Sequence, residues 1–195
     1  MLAPGRVATE RDGRDPGSVA HLSGGPQTRG ATALLTLSLA DRGVRPSVLR
    51  LPPTVHGDGD HGFMATLVGI ARDKDVSGYI GDGSNRWPAV HRVDAAHLFR
   101  LALEQAPPGS ALHAVADEGV PIRAIAEVIG RHLNLPVVSI PPERAGEHFS
   151  WLAHFLAADS PASSTLTREL VGWQPTQPGL IDDLDKGHYF HNPSA

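Results

Sequence analysis

The sequence predicts an α/β fold with a partly parallel sheet, and three observations carry that expectation. Segments with apolar residues at helical spacing alternate with short apolar runs along the chain. The run Ser47–Leu51 is mostly apolar and stops at Pro52-Pro53, as a strand covered on both faces does. A glycine-rich loop, Gly57–Gly62, then opens a helix at Phe63. In open α/β sheets, ligands sit in such loops at the carboxyl ends of strands.

Composition narrows the class. The 195 residues suffice for one sizeable core, and 41% hydrophobic with 19% charged residues is ordinary globular usage. A formal charge of −4, without a Lys/Arg block, gives no field for nucleic acid. With no cysteine, disulfides, thiol catalysis and cysteine-zinc sites are excluded. No apolar run approaches the roughly 20 residues of a membrane span. The opening MLAPGRVATERDGRDPG has no apolar signal core. The expectation is a cytoplasmic protein with neither membrane nor nucleic-acid partners.

Taken in order, residues 1–29 are polar, rich in Gly, Pro, Arg and Asp, and read as an irregular segment. Ala33, Leu34, Leu37, Leu39 and Ala40 mark a helix that Gly43 stops. The strand Ser47–Leu51 follows, then a helix over Phe63–Ala71 with Phe63, Leu67 and Ile70 on one face. Tyr79-Ile80 is a short strand, and Gly81–Pro88 reads as a loop. Asp94–Gln105 is a helix with Leu98, Leu101 and Ala102 inward and Asp94 at its amino end. Leu112–Val115 is a strand. Pro121–Leu133 is the strongest helix, with proline at its start and Ile122, Ile125, Ala126 and Ile129 in register. Val137–Ile140 is a strand, Glu143–Ala157 and Ser164–Leu170 are helices, and Asp182–Tyr189 is weakly helical.

Several stretches carry chemistry. Gly57-Asp58-Gly59-Asp60-His61-Gly62 has the G-x-G-x-x-G spacing of a dinucleotide fingerprint. Two prolines and three further residues separate it from the strand, and its aspartates would face a pyrophosphate. A plain βα loop is the better reading. His56, Asp58, Asp60 and His61 offer oxygen and imidazole donors, but no helical spacing completes a metal site, and none is assigned. There is no G-x-S-x-G elbow for a hydrolase, and Ser163-Ser164 reads as a helix cap. His97, His113, His132 and His154 read as packing, capping or solvated residues. In Gly81–His91, Asn85, Arg86, Trp87 and His91 can grip a flat or anionic ligand. Equally, Trp87 can pack under a turn with Arg86 solvated. Trp173, after Gly172, reads as core.

VLRLPPTVHGDGDHGF and GDGSNRWPAVHRVDAAHLFRLALE, followed by GVPIRAIAEVIGRHLNLPVVSIP and SSTLTRELVGWQPTQPGLIDDL, occur in that order. They resemble segments of the extended and atypical short-chain dehydrogenases/reductases, the NAD-dependent epimerase/dehydratase group. The likeness covers about residues 30–190. It implies a partial Rossmann-like fold, the C-terminal part of a doubly wound sheet, with a mainly helical substrate-binding half. It further implies three parts: an irregular segment over 1–29, a Rossmann remnant over 30–62, and a substrate-binding part over 63–195 that can interleave with the remaining sheet.

By the same resemblance the chemistry is NAD(P)-dependent hydride transfer at a carbonyl or alcohol carbon of a small molecule. Pro52, Pro53, Thr54 and Val55 would line the nicotinamide side, and Arg29, at the family's lysine position, would reach the ribose. His56, Asn85, Arg86, Trp87 and His91 would face substrate. The family's tyrosine position falls on Gly25 and its usual helix glutamate on Ala33, so no catalytic residue is assigned. The family's opening strand and glycine-rich turn do not precede Met1, so the chain is expected to be a truncated copy of doubtful activity. The alternative is a non-catalytic binding or regulatory module that keeps the substrate-side fold. An open edge on Ser47–Leu51 would call for a homo-oligomer or a complementing chain.

Overall fold

The computed structural model describes residues 5–13 and 26–191. Helix α1 (Pro26–Ser38) runs into a 3-10 turn that Gly43 closes at φ +80°. The elements β1 (Ser47–Arg50), β2 (Thr54–His56), α2 (Phe63–Lys74), β3 (Ser77–Ile80) and β4 (Arg86–His91) follow. Next come α3 (Arg92–Gln105), β5 (Ser110–His113), β6 (Asp117–Pro121), α4 (Ile122–Leu133) and β7 (Val137–Ile140). The chain ends with the short helices α5 (Ala145–Phe149), α6 (Ala153–Leu156), α7 (Thr165–Val171) and α8 (Leu180–Asp185).

The strands form three small sheets. β1 pairs with β5 in parallel, β3 with β7 in parallel, and β2 with β4 in parallel while β6 joins β4 antiparallel. The fold is therefore mixed α/β with parallel strand pairs. β1, from the stretch read as a Rossmann remnant, pairs with β5 from the following part. Among the described residues, β5 is the only strand neighbour of β1.

Packing explains the helices. α4 buries Ile122, Ile125, Ala126 and Ile129 against β3, and α2 buries Met64, Leu67, Val68 and Ala71 in the same core. α3 covers a second core in which Leu98, Leu112 and Trp173 are fully enclosed. Trp173 donates its indole N–H to the Asp94 carbonyl at 3.0 Å, so its buried polar atom is satisfied. The buried Asp94 carboxylate accepts the Thr176 and Gln177 amides, both at 3.0 Å, and pins the following loop. His91 stands at the α3 N-cap, where its Nδ1 accepts the Val93 amide.

Three expectations are corrected, and the strand β6 is one that the sequence pattern does not announce. Residues 86–91 form a strand rather than part of a loop, because both faces are covered and Pro88 lies at a register shift in the β4–β6 pairing between Trp87 and Ala89. β6 escapes notice because of its five residues only Val120 is buried, which gives no clear alternation. The single helix over 143–157 is broken, since Ser150 takes φ +51° and the flanking turns tighten to 3-10 geometry. The strand expected over 112–115 starts two residues earlier and ends at His113.

The segment 1–29 is also more ordered than expected. Residues 26–29 already belong to α1, and Ala8 bridges Ala162. The Ala8 amide bonds the Pro161 carbonyl, and the Ser163 amide bonds the Ala8 carbonyl. Residues 1–4 and 14–25, Gly25 included, lie outside the described residues.

Candidate functional site

The parallel pair β1–β5 brings Arg50 and His113 side by side at its carboxyl end, as register partners. A cleft of about 240 Å³ opens there between Arg50, Pro52, Pro53, Pro88 and His113 and the strap Ala8–Asp12. Two prolines after β1 stop the strand and turn the chain outward, which leaves room above its end.

The polar groups of this cleft hold one another in place. The Ser163 carbonyl lies 2.9 Å from His113 Nδ1, and a carbonyl only accepts, so Nδ1 carries the proton. His113 Nε2 is then an acceptor and takes a bond from Arg50 Nη1 at 3.3 Å. The same guanidinium nitrogen donates to the Asp12 carbonyl at 2.7 Å. Burial holds the His113 ring below its usual pKa, partly opposed by its bond to Ser163 and by the charge of Glu10. The cleft thus presents a fixed cation and a neutral imidazole above an apolar floor. Such a site suits a small ligand carrying one polar or anionic oxygen.

Of the residues assigned by resemblance to the cofactor, Pro52 and Pro53 line this cleft. Thr54 is buried with its hydroxyl unpartnered, and Val55 packs against the α3 core. Arg29 lies on α1 beside a separate groove with Thr32, Thr36, Ser47 and Val48.

The substrate-side residues divide into two groups. Asn85 donates to the Leu156 and Ala158 carbonyls, and Trp87, 1% exposed, donates to the Phe155 carbonyl. Arg86 makes a two-pronged bond to Asp159, at 3.1 and 3.0 Å, which depresses the Asp159 pKa. These three side chains fasten residues 155–159 to the start of β4. His56 and His91 are register partners across β2–β4, with ring centroids 5.4 Å apart. His56 is fully buried and bonds Asp183 at 2.9 Å.

Sequence reading missed Arg50, His113, Asp12, Asp183 and Tyr189. Arg50 carried a usable signal: an arginine inside an apolar run, next to the strand's end. Tyr189 and Asp183 carried none, since their partners are more than 120 residues away.

In the Gly57–Gly62 turn the Gly57, Asp60 and Gly62 amides are already engaged. The Gly57 amide bonds the Tyr189 hydroxyl at 3.1 Å, and the Gly62 amide bonds Asp60 at 2.6 Å. Those are the groups a diphosphate would need. Among the described residues, no group of three or more His, Asp or Glu side chains is arranged to hold a metal ion. None of the helices in the described residues is long and apolar enough to cross a membrane.

No family model matches the chain. It is 53% identical over 165 residues to an uncharacterized protein of Schizosaccharomyces pombe, which covers 85% of this chain and 56% of that protein. It is 45% identical over 183 residues to an uncharacterized protein of Saccharomyces cerevisiae, covering 94% and 59% respectively. The chain thus spans a little over half the length of the curated relatives it matches.

Among solved structures it superposes on a dTDP-glucose 4,6-dehydratase of Streptomyces venezuelae with NAD bound. The TM-score is 0.67 at 16% identity, over 96% of this chain and 54% of that one. An epimerase of Methanothermobacter thermautotrophicus gives 0.64 at 16% identity, over 84% and 48%. An ADP-L-glycero-D-manno-heptose-6-epimerase of Helicobacter pylori gives 0.63 at 12% identity, over 95% and 54%. The fold is therefore mixed α/β and Rossmann-like, matching about half of each of those chains.

Proposed function

We propose that this chain is the substrate-side portion of an NAD(P)-dependent oxidoreductase of the epimerase/dehydratase type, acting on a carbonyl or alcohol carbon of a small molecule. The observation that carries the reading is the cleft at the carboxyl ends of β1 and β5, lined by Arg50, Pro52, Pro53 and His113. Ligands of open α/β sheets occupy this place.

The residues present do not fit a whole dinucleotide. The cleft of about 240 Å³ falls below the roughly 300–1,000 Å³ of ordinary ligand pockets. The Gly57, Asp60 and Gly62 amides of the glycine turn are already bonded within the chain, and Asp58 and Asp60 oppose a diphosphate. The cleft can take a nicotinamide-sized ring or the reacting end of a substrate. Its Arg50 guanidinium, steadied by His113, would orient an oxygen there. Hydride chemistry belongs to the cofactor, and completing its site requires further strands beside β1, from a longer polypeptide, a second copy or a complementing chain.

One feature favours the reading as a non-catalytic module. Asn85, Arg86 and Trp87 are committed to internal bonds, which leaves few groups for substrate chemistry. The full-length S. pombe relative separates the two readings. Oxidation of NADH or NADPH in the presence of a panel of aldehydes and ketones supports the oxidoreductase. A purified, folded relative that binds neither cofactor overturns it.

A further inference from the structure

Glu10, on the strap Ala8–Asp12, is a buried acid with no part in the chemistry of the cleft. It is 4% exposed. Its Oε1 accepts the Thr167 amide at 2.8 Å and the Thr167 hydroxyl at 2.6 Å, the second within the short range of charge-assisted bonds. Its Oε2 is buried and has no hydrogen-bond partner. No ion pair among the described residues includes Glu10. His113, whose ring feels the Glu10 charge, gives its Nδ1 proton to the Ser163 carbonyl and its Nε2 to Arg50. A buried carboxylate with one oxygen bare is costly to keep unless a cation meets it.

A cavity of about 500 Å³ adjoins Glu10, between the strap, the turn Pro107–Gly109 that leads into β5, and α7. The hydrogen bonding of β5 explains the opening. The Ala114 amide bonds the Arg50 carbonyl on the β1 side, so the His113 amide points the other way, where Thr167 Oγ1 takes it at 2.7 Å. Among the described residues no strand covers that edge. Leu166 and Leu170 of α7, with Pro107 and Pro108 opposite, give the cavity apolar walls. Glu169 lines it from an exposed position, and Arg11 lines it without an ion pair to either glutamate.

We propose that this cavity binds an aliphatic primary amine, its ammonium on Glu10 Oε2 and its chain along Leu166 and Leu170.

The arrangement of acceptors selects the head group. A guanidinium grips a carboxylate best through two parallel bonds, one to each oxygen. Thr167 occupies Oε1, which leaves a single oxygen free. An ammonium is a compact charge with three rotatable donors, and one oxygen suffices for it. The same mismatch disfavours Arg11 as the internal partner of Glu10. The walls select the rest of the ligand. Ser110, the remaining polar side chain there, already donates its hydroxyl proton to the Pro107 carbonyl. An alkyl chain therefore meets no unsatisfied wall group, and Glu169 adds to the negative field that draws a cation in.

The inference does not depend on the oxidoreductase reading. Calorimetric titration of the purified chain with n-pentylamine at about pH 7 tests it, with pentanol and n-pentylguanidine as controls. The amine should bind saturably at about 1 mM or tighter, the guanidine several-fold more weakly and the alcohol not at all. Amide chemical shifts should change over 107–111 and 166–170 and stay constant over 137–148. Glu10→Gln keeps an acceptor for Thr167 and removes the charge, and it should weaken the amine roughly tenfold or more. Leu170→Trp, at an exposed position, should fill the cavity and weaken binding to a similar degree, which decides the matter should Glu10→Gln fail to fold. No saturation below about 10 mM overturns the proposal. So does a guanidine or alcohol that binds as tightly as the amine, a set of shifts centred outside the two segments, or amine binding that either folded variant leaves unchanged.

Discussion

Removing the Asp183 carboxylate attacks the buried bond that joins β2 to α8. In Asp183→Ala the His56 Nδ1–H, in a fully buried ring, loses an acceptor at 2.9 Å. A hydrogen bond to a charged group contributes about 1.5–3 kcal/mol, and an orphaned buried donor costs about 1–3 kcal/mol more. The sum agrees with the roughly 3–5 kcal/mol lost when one partner of a buried pair is removed. Urea unfolding followed by tryptophan fluorescence reads this directly. With a slope of about 2.5 kcal/mol/M, the midpoint should fall by about 1.2–2 M. His56→Ala should be comparably destabilising, and the double variant should lose less than the sum, with a coupling of about 1.5–3 kcal/mol. Single losses under about 1 kcal/mol that simply add would refute the assignment of this bond as a structural tie.

Acid should destabilise the fold through histidines as well as carboxylates. His91, His113 and His148 are each held below the usual 6.5, mainly by burial, so the unfolded chain takes up protons that the folded chain refuses. Stability should therefore decline as pH drops through and below about 6.5, and a thermal midpoint that stays flat or rises between pH 7.5 and 5.5 would contradict this. Gly130→Ala should destabilise, because the new Cβ would stand 2.5 Å from Val137 Cγ2 and 3.0 Å from the Leu135 carbonyl. Overpacking of that kind costs about 1–3 kcal/mol, and a backbone carbonyl cannot rotate away. A midpoint equal to or above the parent's would refute it.

The elements legible in the sequence were those whose pattern is local. The run Val137–Ile140 and the helix ending at Leu133 stand where apolar spacing puts them, because each buries one clear face. Arg86–His91 was not legible, since a strand buried on both faces shows no alternation and its proline suggests a turn. The broken region 143–157 depends on one residue, Ser150, at a positive φ that composition does not announce.

The same distinction governs the site. Pro52 and Pro53 were visible as the end of a strand, and they do line the cleft. Arg50 and His113 meet only because β1 and β5 pair across about 60 residues, which no local spacing records. Asn85, Arg86 and Trp87 looked like ligand groups because polar and aromatic side chains cluster there. Their partners, the carbonyls of residues 155–158 and the Asp159 carboxylate, are distant in sequence.

Calorimetric titration of the purified 195-residue chain with NADH and NADPH reads most directly whether the chain keeps the reactant-facing wall without a grip for the diphosphate. The predicted result is no saturable binding below about 1 mM, equivalent to less than about 4 kcal/mol. Saturable binding of either dinucleotide at micromolar concentration would contradict it.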